Sequence, residues 1–327
     1  MLLSLEKELK ESVGALKSDS HPALSEMVEY HFGWHDPGAQ SGGKRVRPLL
    51  TLLCCAAAGG NWQEALPAAA AVELIHNFSL VHDDIEDRSA SRRGRETLWH
   101  RWGIAQAINT GDAMFVLAFR TCDRLLANGL PAQRVLEVLT HLSGACLQLT
   151  IGQHSDLRFE AEDRVTEEEY QAMIDGKTSS LLAAACAIGA LVAGVPESLV
   201  QAYDAFGRHL GLGFQMLDDI LGIWGRPEET GKPVRDDLRL RKKSLPVLVG
   251  LRTSPEFAAW WARGSRGEQE LEEMAAILES CGALTHSREA VRSHTDLALA
   301  HLMEAMPLQP AADELRNLAQ RLVSRKS

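Results

Sequence analysis

The chain has 327 residues, 45% of them hydrophobic, and carries 44 acidic against 34 basic side chains for a formal charge of −10. That length and apolar content support a sizeable core, and the acidic balance excludes a protein whose main partner is nucleic acid. An anionic substrate would have to be drawn in by local lysines, arginines and metal.

The first sixteen residues are amphipathic and mixed in charge, with no uninterrupted apolar stretch and no arginine-rich, acid-poor pattern, so no signal or transit peptide is expected. From there helical patterns alternate with breaks at residues 33–43, 59–61, 89–94, 128–131, 194–196, 226–233 and 307–310. Val72, Ile75, Phe78 or Ser79, and His82 follow helical spacing, as do Ile104, Ala107, Ile108, Met114 and Phe115; no segment sustains period-two alternation. The expectation is one all-α domain over 1–327 with about ten to twelve helices. The longest apolar run, residues 181–195, has 15 residues, mostly Ala, Gly and Cys, against the roughly 18 of a membrane span. It reads as a buried helix, and no integral membrane segment is expected. Six cysteines without C-x-x-C spacing read as reduced core residues of a cytoplasmic protein.

Four stretches carry chemistry. Gly42-Gly43-Lys44-Arg45-Val46-Arg47-Pro48 opens an apolar helix with three cations, an unfavourable charge at a helix start unless an anion lies nearby. It lacks the G-x-x-x-x-G-K-[ST] spacing of a P-loop. Next, Asp83-Asp84-Ile85-Glu86-Asp87 ends an apolar helix, with Asp83 and Asp87 one turn apart on one face and His76 two turns earlier. Alone this reads as a solvated helix end. A second pair, Asp218-Asp219, in another apolar helix shifts the reading to a shared Mg2+ site completed by a diphosphate. Arg92-Arg93-Gly94-Arg95 follows the first acidic end, where guanidinium forks suit phosphate oxygens.

With these stand Asn109-x-Gly111-Asp112, Gly176-Lys177-Thr178, Gly211-x-x-Phe214-Gln215-x-x-Asp218-Asp219, Gly231-Lys232-Pro233 and Lys242-Lys243-Ser244-Leu245-Pro246, in order. Over about residues 40–250 the chain resembles the trans-isoprenyl diphosphate synthases, the head-to-tail polyprenyl synthase family. The resemblance implies a helical bundle around a central cavity, a homodimer, and two aspartate motifs facing each other across the cavity mouth. By position it implies that Asp83, Asp87 and Asp218 hold three Mg2+ ions on an allylic diphosphate, supported by Asp84 and Asp219. Arg92, Lys177, Lys232 and Lys242 match contacts to that diphosphate, and Lys44, Arg47, His76 and Arg93 match the isopentenyl diphosphate pocket. Thr178 and Gln215 match positions beside the reacting allylic carbon.

Ionising an allylic C–O bond loads charge onto the leaving diphosphate, which metal and cations stabilise in a water-poor cavity. The cation then meets the double bond of isopentenyl diphosphate, and loss of a proton leaves a chain five carbons longer. Ser79, one turn or about 5.4 Å before Asp83, is small and leaves depth open, whereas Phe78 narrows the cavity from the side or is ordinary core. An aromatic at the fifth position before Asp83 and a small residue at the fourth resemble the geranylgeranyl (C20) pattern; farnesyl (C15) is the alternative. A class I terpene cyclase needs no isopentenyl pocket, and a non-catalytic subunit of a heteromeric synthase has little use for these acids and bases. Three positions depart from the family pattern: Gly222 replaces the last acid of the second motif, Glu96 stands where proline is common, and Arg235-Asp236-Asp237 replaces small residues.

Overall fold

The computed structural model describes residues 1–17, 22–35, 43–226, 234–263 and 267–323. Among the described residues there are 15 helices of five residues or more, and one two-stranded hairpin. The all-α expectation holds, with more helices than the spacing suggested. One cause is Gly103, whose φ of +85° breaks a single periodic stretch into two helices, Leu98–Trp102 and Ile104–Cys122. The chain groups into two compact units, Met1–Gly144 with Ala184–Gln201 and Met306–Ala312, and Ala145–Ala183 with Ala202–Ala305 and Asp313–Ser327. Each is assembled from three separate stretches, so no single linker divides them.

The first unit is built around α4 (Leu66–Glu86), after α1 (Leu2–Gly14), α2 (Pro22–Phe32) and α3 (Val46–Ala57). Pro67 sits in the first turn of α4, where a missing N–H costs nothing. Ala68, Ala69, Ala70, Ala71, Leu74 and Ile75 are buried, and small side chains let neighbouring backbones come close. After α5 (Leu98–Trp102), α6 (Ile104–Cys122) packs along α4. Gly111 of α6 is required there: a Cβ would lie 2.3 Å from Nε2 of His82 on α4. Arg92-Arg93-Gly94-Arg95, expected as a loop, is a hairpin in which Arg92 pairs with Arg95. Arg93 (φ +54°) and Gly94 (φ +74°) form its two-residue turn, the positive-φ geometry that matches strand twist.

In the second unit, α7 (Arg124–Ala127) having ended in the first, the chain enters through the later part of α8 (Ala132–Ala161). It continues as α9 (Glu167–Ile174), a π-helical turn (Asp175–Ser179), α10 (Ser180–Ala193) and α11 (Glu197–Trp224). Thr166 and Glu169 cap α9 reciprocally, each side chain bonding the other's backbone N–H. Tyr170, Phe257, Leu271, Met274 and Leu278 are fully buried at the centre of this unit. The continuous helical stretch Glu167–Ala193 is long and apolar enough to cross a membrane, yet its most apolar window is 89% buried inside the fold; that of α8 is 39% buried.

Candidate active site

Two half-sites, one in each unit, gather the residues singled out in the sequence. In the first, the acids of α4 lie at its C-terminal end, where the helix dipole is already negative, so a carboxylate cluster there favours cations. Asp83 is half-buried and Asp87, the C-cap, is exposed. Asp84 turns inward: it is 2% exposed and accepts a hydrogen bond from Arg92 Nε at 2.8 Å. Burial pushes its carboxyl above the usual carboxylate range, against the pull of Arg92. Adjacent helical residues point about 100° apart, so an Asp-Asp pair cannot present both side chains to one ligand. Asp84 therefore positions Arg92, and Asp83 and Asp87 share the outer face.

The cations entering α3 divide in the same way. Arg45, held in a left-handed conformation at φ +48°, turns into the core and pairs with Glu73 at 2.8 Å and Glu6 at 2.7 Å. Lys44 is exposed. Arg47 Nη1 donates to His76 Nε2 at 3.2 Å, while its buried Nε has no hydrogen-bond partner among the described residues. The Arg93 guanidinium lies over Gly43, where a Cβ would come within 2.7 Å of it. Arg47, His76 and Arg93 thus converge on a positively charged place with an unfilled donor. Burial, then Arg47, Arg93 and Arg92, hold the His76 pKa well below its ordinary value, leaving the ring neutral and Nε2 an acceptor.

In the second half-site, Asp219 is 1% exposed and is the hub of a hydrogen-bonded network. Its Oδ2 accepts from Tyr170 Oη at 2.6 Å and from the Leu245 N–H at 3.2 Å; its Oδ1 accepts from Gln215 Nε2 at 3.1 Å and lies 3.6 Å from Lys242 Nζ. Thr178 Oγ1 donates to Gln215 Oε1 at 2.8 Å. This chain of bonds fixes which way the Gln215 amide faces and aims the remaining lone pairs of Thr178 Oγ1 outward. Asp218, half-buried, occupies the neighbouring face of α11. Lys177 pairs with Asp156 of α8 at 2.6 Å. The turn that carries Lys177 and Thr178 is π-helical, with a fifth-residue spacing that rotates both out of register with the flanking helices. Lys232 lies outside the described residues.

Sequence reasoning passed over Asp156, Tyr170 and Asp237. Asp156 had a signal, an isolated acid in a long helix; Tyr170 and Asp237 are joined to the site only by tertiary contacts. Chain length rests on Phe78 and Ser79. Ser79 is 8% exposed, its hydroxyl donating to the His76 carbonyl at 2.8 Å, while Phe78 packs edge-on against Phe115 of α6, with ring centroids 5.2 Å apart. Phe115 in turn meets Phe119 at 5.1 Å, so an aromatic stripe runs between α4 and α6.

The polyprenyl synthetase family profile matches residues 23–281. The chain belongs to the polyprenyl synthetase family. It is 41% identical over 322 residues to a (2E,6E)-farnesyl diphosphate synthase of Mycobacterium tuberculosis, covering 94% of this chain and 87% of the relative. It is 38% identical over 302 residues to a geranylgeranyl diphosphate synthase of the same organism, covering 89% and 85%. A crystal structure of a polyprenyl synthetase from Streptomyces coelicolor superposes with a TM-score of 0.89 at 36% identity, over 98% of this chain and 97% of that one. This polyprenyl synthetase is accordingly a trans-prenyltransferase.

Its family is generally Mg2+-dependent. Among the described residues no three His, Cys, Asp or Glu side chains close on one point as an all-protein metal cage. Mg2+ suits that arrangement, because it takes one or two carboxylates, keeps waters and completes its shell with substrate phosphates. The acids at the dipole-negative end of α4 and the half-buried Asp218 fit this role. Asp84 and Asp219, proposed from sequence beside them, are committed to protein donors and act by positioning.

Protonation of the first half-site opposes folding. Burial, followed by Arg92, Arg93 and Arg95, lowers the His31 pKa from 6.5 to about 3, and its Nε2–H donates to Asn77 Oδ1 at 3.2 Å. A pKa below the unfolded value means that the unfolded chain takes up the proton first. Stability is therefore full above the unfolded pKa of 6.5 and falls as pH drops toward about 3. Denaturant melts of this synthetase between about pH 7 and 5 should give a slope that His31→Gln reduces by about 1.4 kcal/mol per pH unit. An unchanged slope would place the charge uptake elsewhere, His76 first.

Proposed function

We propose that this synthetase condenses isopentenyl diphosphate with an allylic diphosphate and stops at geranylgeranyl diphosphate. The observation that carries the two-substrate reading is the buried Arg47 guanidinium with its open Nε, beside His76 and Arg93. Such a place is costly without an anion, and a cyclase, which handles a single diphosphate, has no use for it. Lys44, Arg47, His76 and Arg93 would hold isopentenyl diphosphate there.

The allylic diphosphate belongs to the acids and to Arg92, Lys177, Lys232 and Lys242. Mg2+ ions, three by the family resemblance, would be held by Asp83, Asp87 and Asp218 and would neutralise charge growing on the leaving group. Lys177 and Arg92, parked on Asp156 and Asp84, turn to the phosphate oxygens once substrate arrives. As the C–O bond breaks, its electron pair leaves with the diphosphate. The oxygens of Thr178 and Gln215 then stabilise the allylic cation with dipoles already oriented. The double bond of isopentenyl diphosphate attacks, and the departed diphosphate takes the proton that the product loses.

For the product, Ser79 keeps α4 slim one turn before Asp83, and Phe78 with Phe115 sets a floor. The farnesyl reading is favoured by the 41% identity to a farnesyl diphosphate synthase. Incubation with isopentenyl diphosphate and dimethylallyl, geranyl or farnesyl diphosphate, followed by chromatography of the dephosphorylated alcohols, decides between them. A C20 endpoint supports the proposal, C15 moves the floor up, a cyclic hydrocarbon means a cyclase, and inactivity with every starter means a non-catalytic subunit. Phe78→Ala should shift the endpoint by at least one isoprene unit toward longer products. An unchanged endpoint would make Phe78 ordinary core.

A homodimer is supported by exposed apolar side chains, Ile104, Ile108 and Val116 on α6 and Leu136, Leu147 and Ile151 on α8. A cytoplasmic location is supported by six unpaired cysteines, five of them buried.

A further inference from the structure

Gly222 is the position at which the second aspartate motif lacks its last acid. It lies one turn beyond Asp218 on α11 and so shares a face with it. A Cβ built on Gly222 would lie 2.4 Å from both Cγ and Oδ2 of Asp237, and 2.7 Å from its Oδ1. The space that a side chain at 222 would enter is therefore filled by a carboxylate from another helix. Asp237 belongs to α12 (Asp236–Arg239), follows the left-handed Arg235 at φ +59°, and is 5% exposed. Ion pairs from Arg235 (3.0 Å) and Arg239 (2.8 Å) to Glu268 pin α12 in place.

We propose that Asp237 supplies, from α12, the carboxylate that α11 lacks at Gly222, positioning the Lys242 ammonium and the metal–diphosphate held by Asp218. This deepens the diphosphate reading given above and rests on it. Two departures from the family pattern, Gly222 and Arg235-Asp236-Asp237, then become one exchange: the acid moves across a helix–helix contact, and the glycine makes room for it. The surroundings agree. The Lys242 N–H bonds the Asp237 carbonyl at 2.9 Å, so the two residues are held at a fixed separation. Burial alone would draw the Lys242 pKa down, but Asp219, then Asp237, Asp156 and Asp218, raise it, so all four carboxylates surround this ammonium. Asp237 acts through Lys242 and the ligand shell, as a positioning residue.

The test moves the carboxylate back. Gly222→Asp, Asp237→Asn, Gly222→Asp/Asp237→Gly and Asp218→Ala are compared with the parent for binding of Mn2+ in the presence of inorganic pyrophosphate, read from loss of the free-ion paramagnetic resonance, and for melting temperature. Asp237→Asn, nearly isosteric, should weaken Mn2+–pyrophosphate binding by about tenfold, the lower end for groups that orient a metal's ligands, with little change in melting. Gly222→Asp should melt several degrees lower because two carboxylates compete for one space. The double variant should recover both properties to within about twofold of the parent affinity. An unaltered affinity in Asp237→Asn, or a double variant no tighter than Asp237→Asn, overturns the proposal. Should Asp218→Ala also bind like the parent, the metal–diphosphate reading of α11 falls as well; if Asp218→Ala alone loses binding, only the role of Asp237 falls.

Discussion

Alanine at Asp218 should lower kcat by about a thousandfold while leaving the melting temperature close to that of the parent, whereas alanine at Asp219 should unfold the second half-site. The two acids are neighbours in sequence and differ in everything else. Asp218 is half-buried on the face of α11 that looks toward ligand, so its removal takes away electrostatic stabilisation of the leaving group, an effect of about 3–4 kcal/mol on the barrier. Asp219 is 1% exposed and accepts from Tyr170, Gln215 and Leu245 with Lys242 at 3.6 Å. Truncating it strands the Tyr170 hydroxyl, fully buried, and leaves Lys242 with one carboxylate fewer, for a cost of about 3 kcal/mol. Steady-state kinetics paired with thermal melts on both variants checks this division. Equal loss of melting temperature in both would remove it.

The second large effect is expected at Gly152, which touches no substrate. A Cβ at Gly152 of α8 would lie 2.1 Å from the Lys177 backbone nitrogen, and one at Gly211 of α11 would lie 2.6 Å from the Ser179 Cα. The π-helical turn Asp175–Ser179 is thus gripped by backbone contacts on two sides, neither of which can yield as a flexible side-chain end would. Gly152→Ala should cost about 1–3 kcal/mol of stability by overpacking. It should cost more in function, because a displacement of about 1 Å at Lys177 and Thr178 is worth about a hundredfold in rate. The diagnostic is a fall in kcat that exceeds the loss of folded protein at the assay temperature, with Gly144→Ala as the control: a Cβ there meets nothing within 4 Å. A kcat preserved in Gly152→Ala would show that the turn tolerates movement.

Much of this was legible before any coordinates. The 3.6-residue spacing gave the helical class, and the apolar settings of Asp83, Asp87 and Asp218 marked a site, since carboxylates are not kept beside apolar surface without a compensating charge. Less legible were the loops. Residues 91–96 carry no alternation to read, and their hairpin depends on the positive φ of Arg93 and Gly94. The count of helices was low for a similar reason, because a glycine break within one periodic stretch changes direction without changing the period.

By itself the sequence determined which chemical groups the protein owns and along which helices they run: carboxylates one turn apart, cations at a helix start, and a glycine where an acid was expected. It also required that one member of each adjacent aspartate pair leave the shared face, because successive helical side chains diverge by about 100°. Which member turned inward was decided by tertiary structure. Arg92 of the hairpin reaches back to Asp84, and Tyr170 and the Leu245 N–H close on Asp219. The same holds for Lys177 with Asp156 and for Asp237 over Gly222, pairs separated by 21 and 15 residues in the chain. Spacing along a helix sets only the direction of a side chain relative to its neighbours. The partner it meets depends on how a second helix is packed against the first.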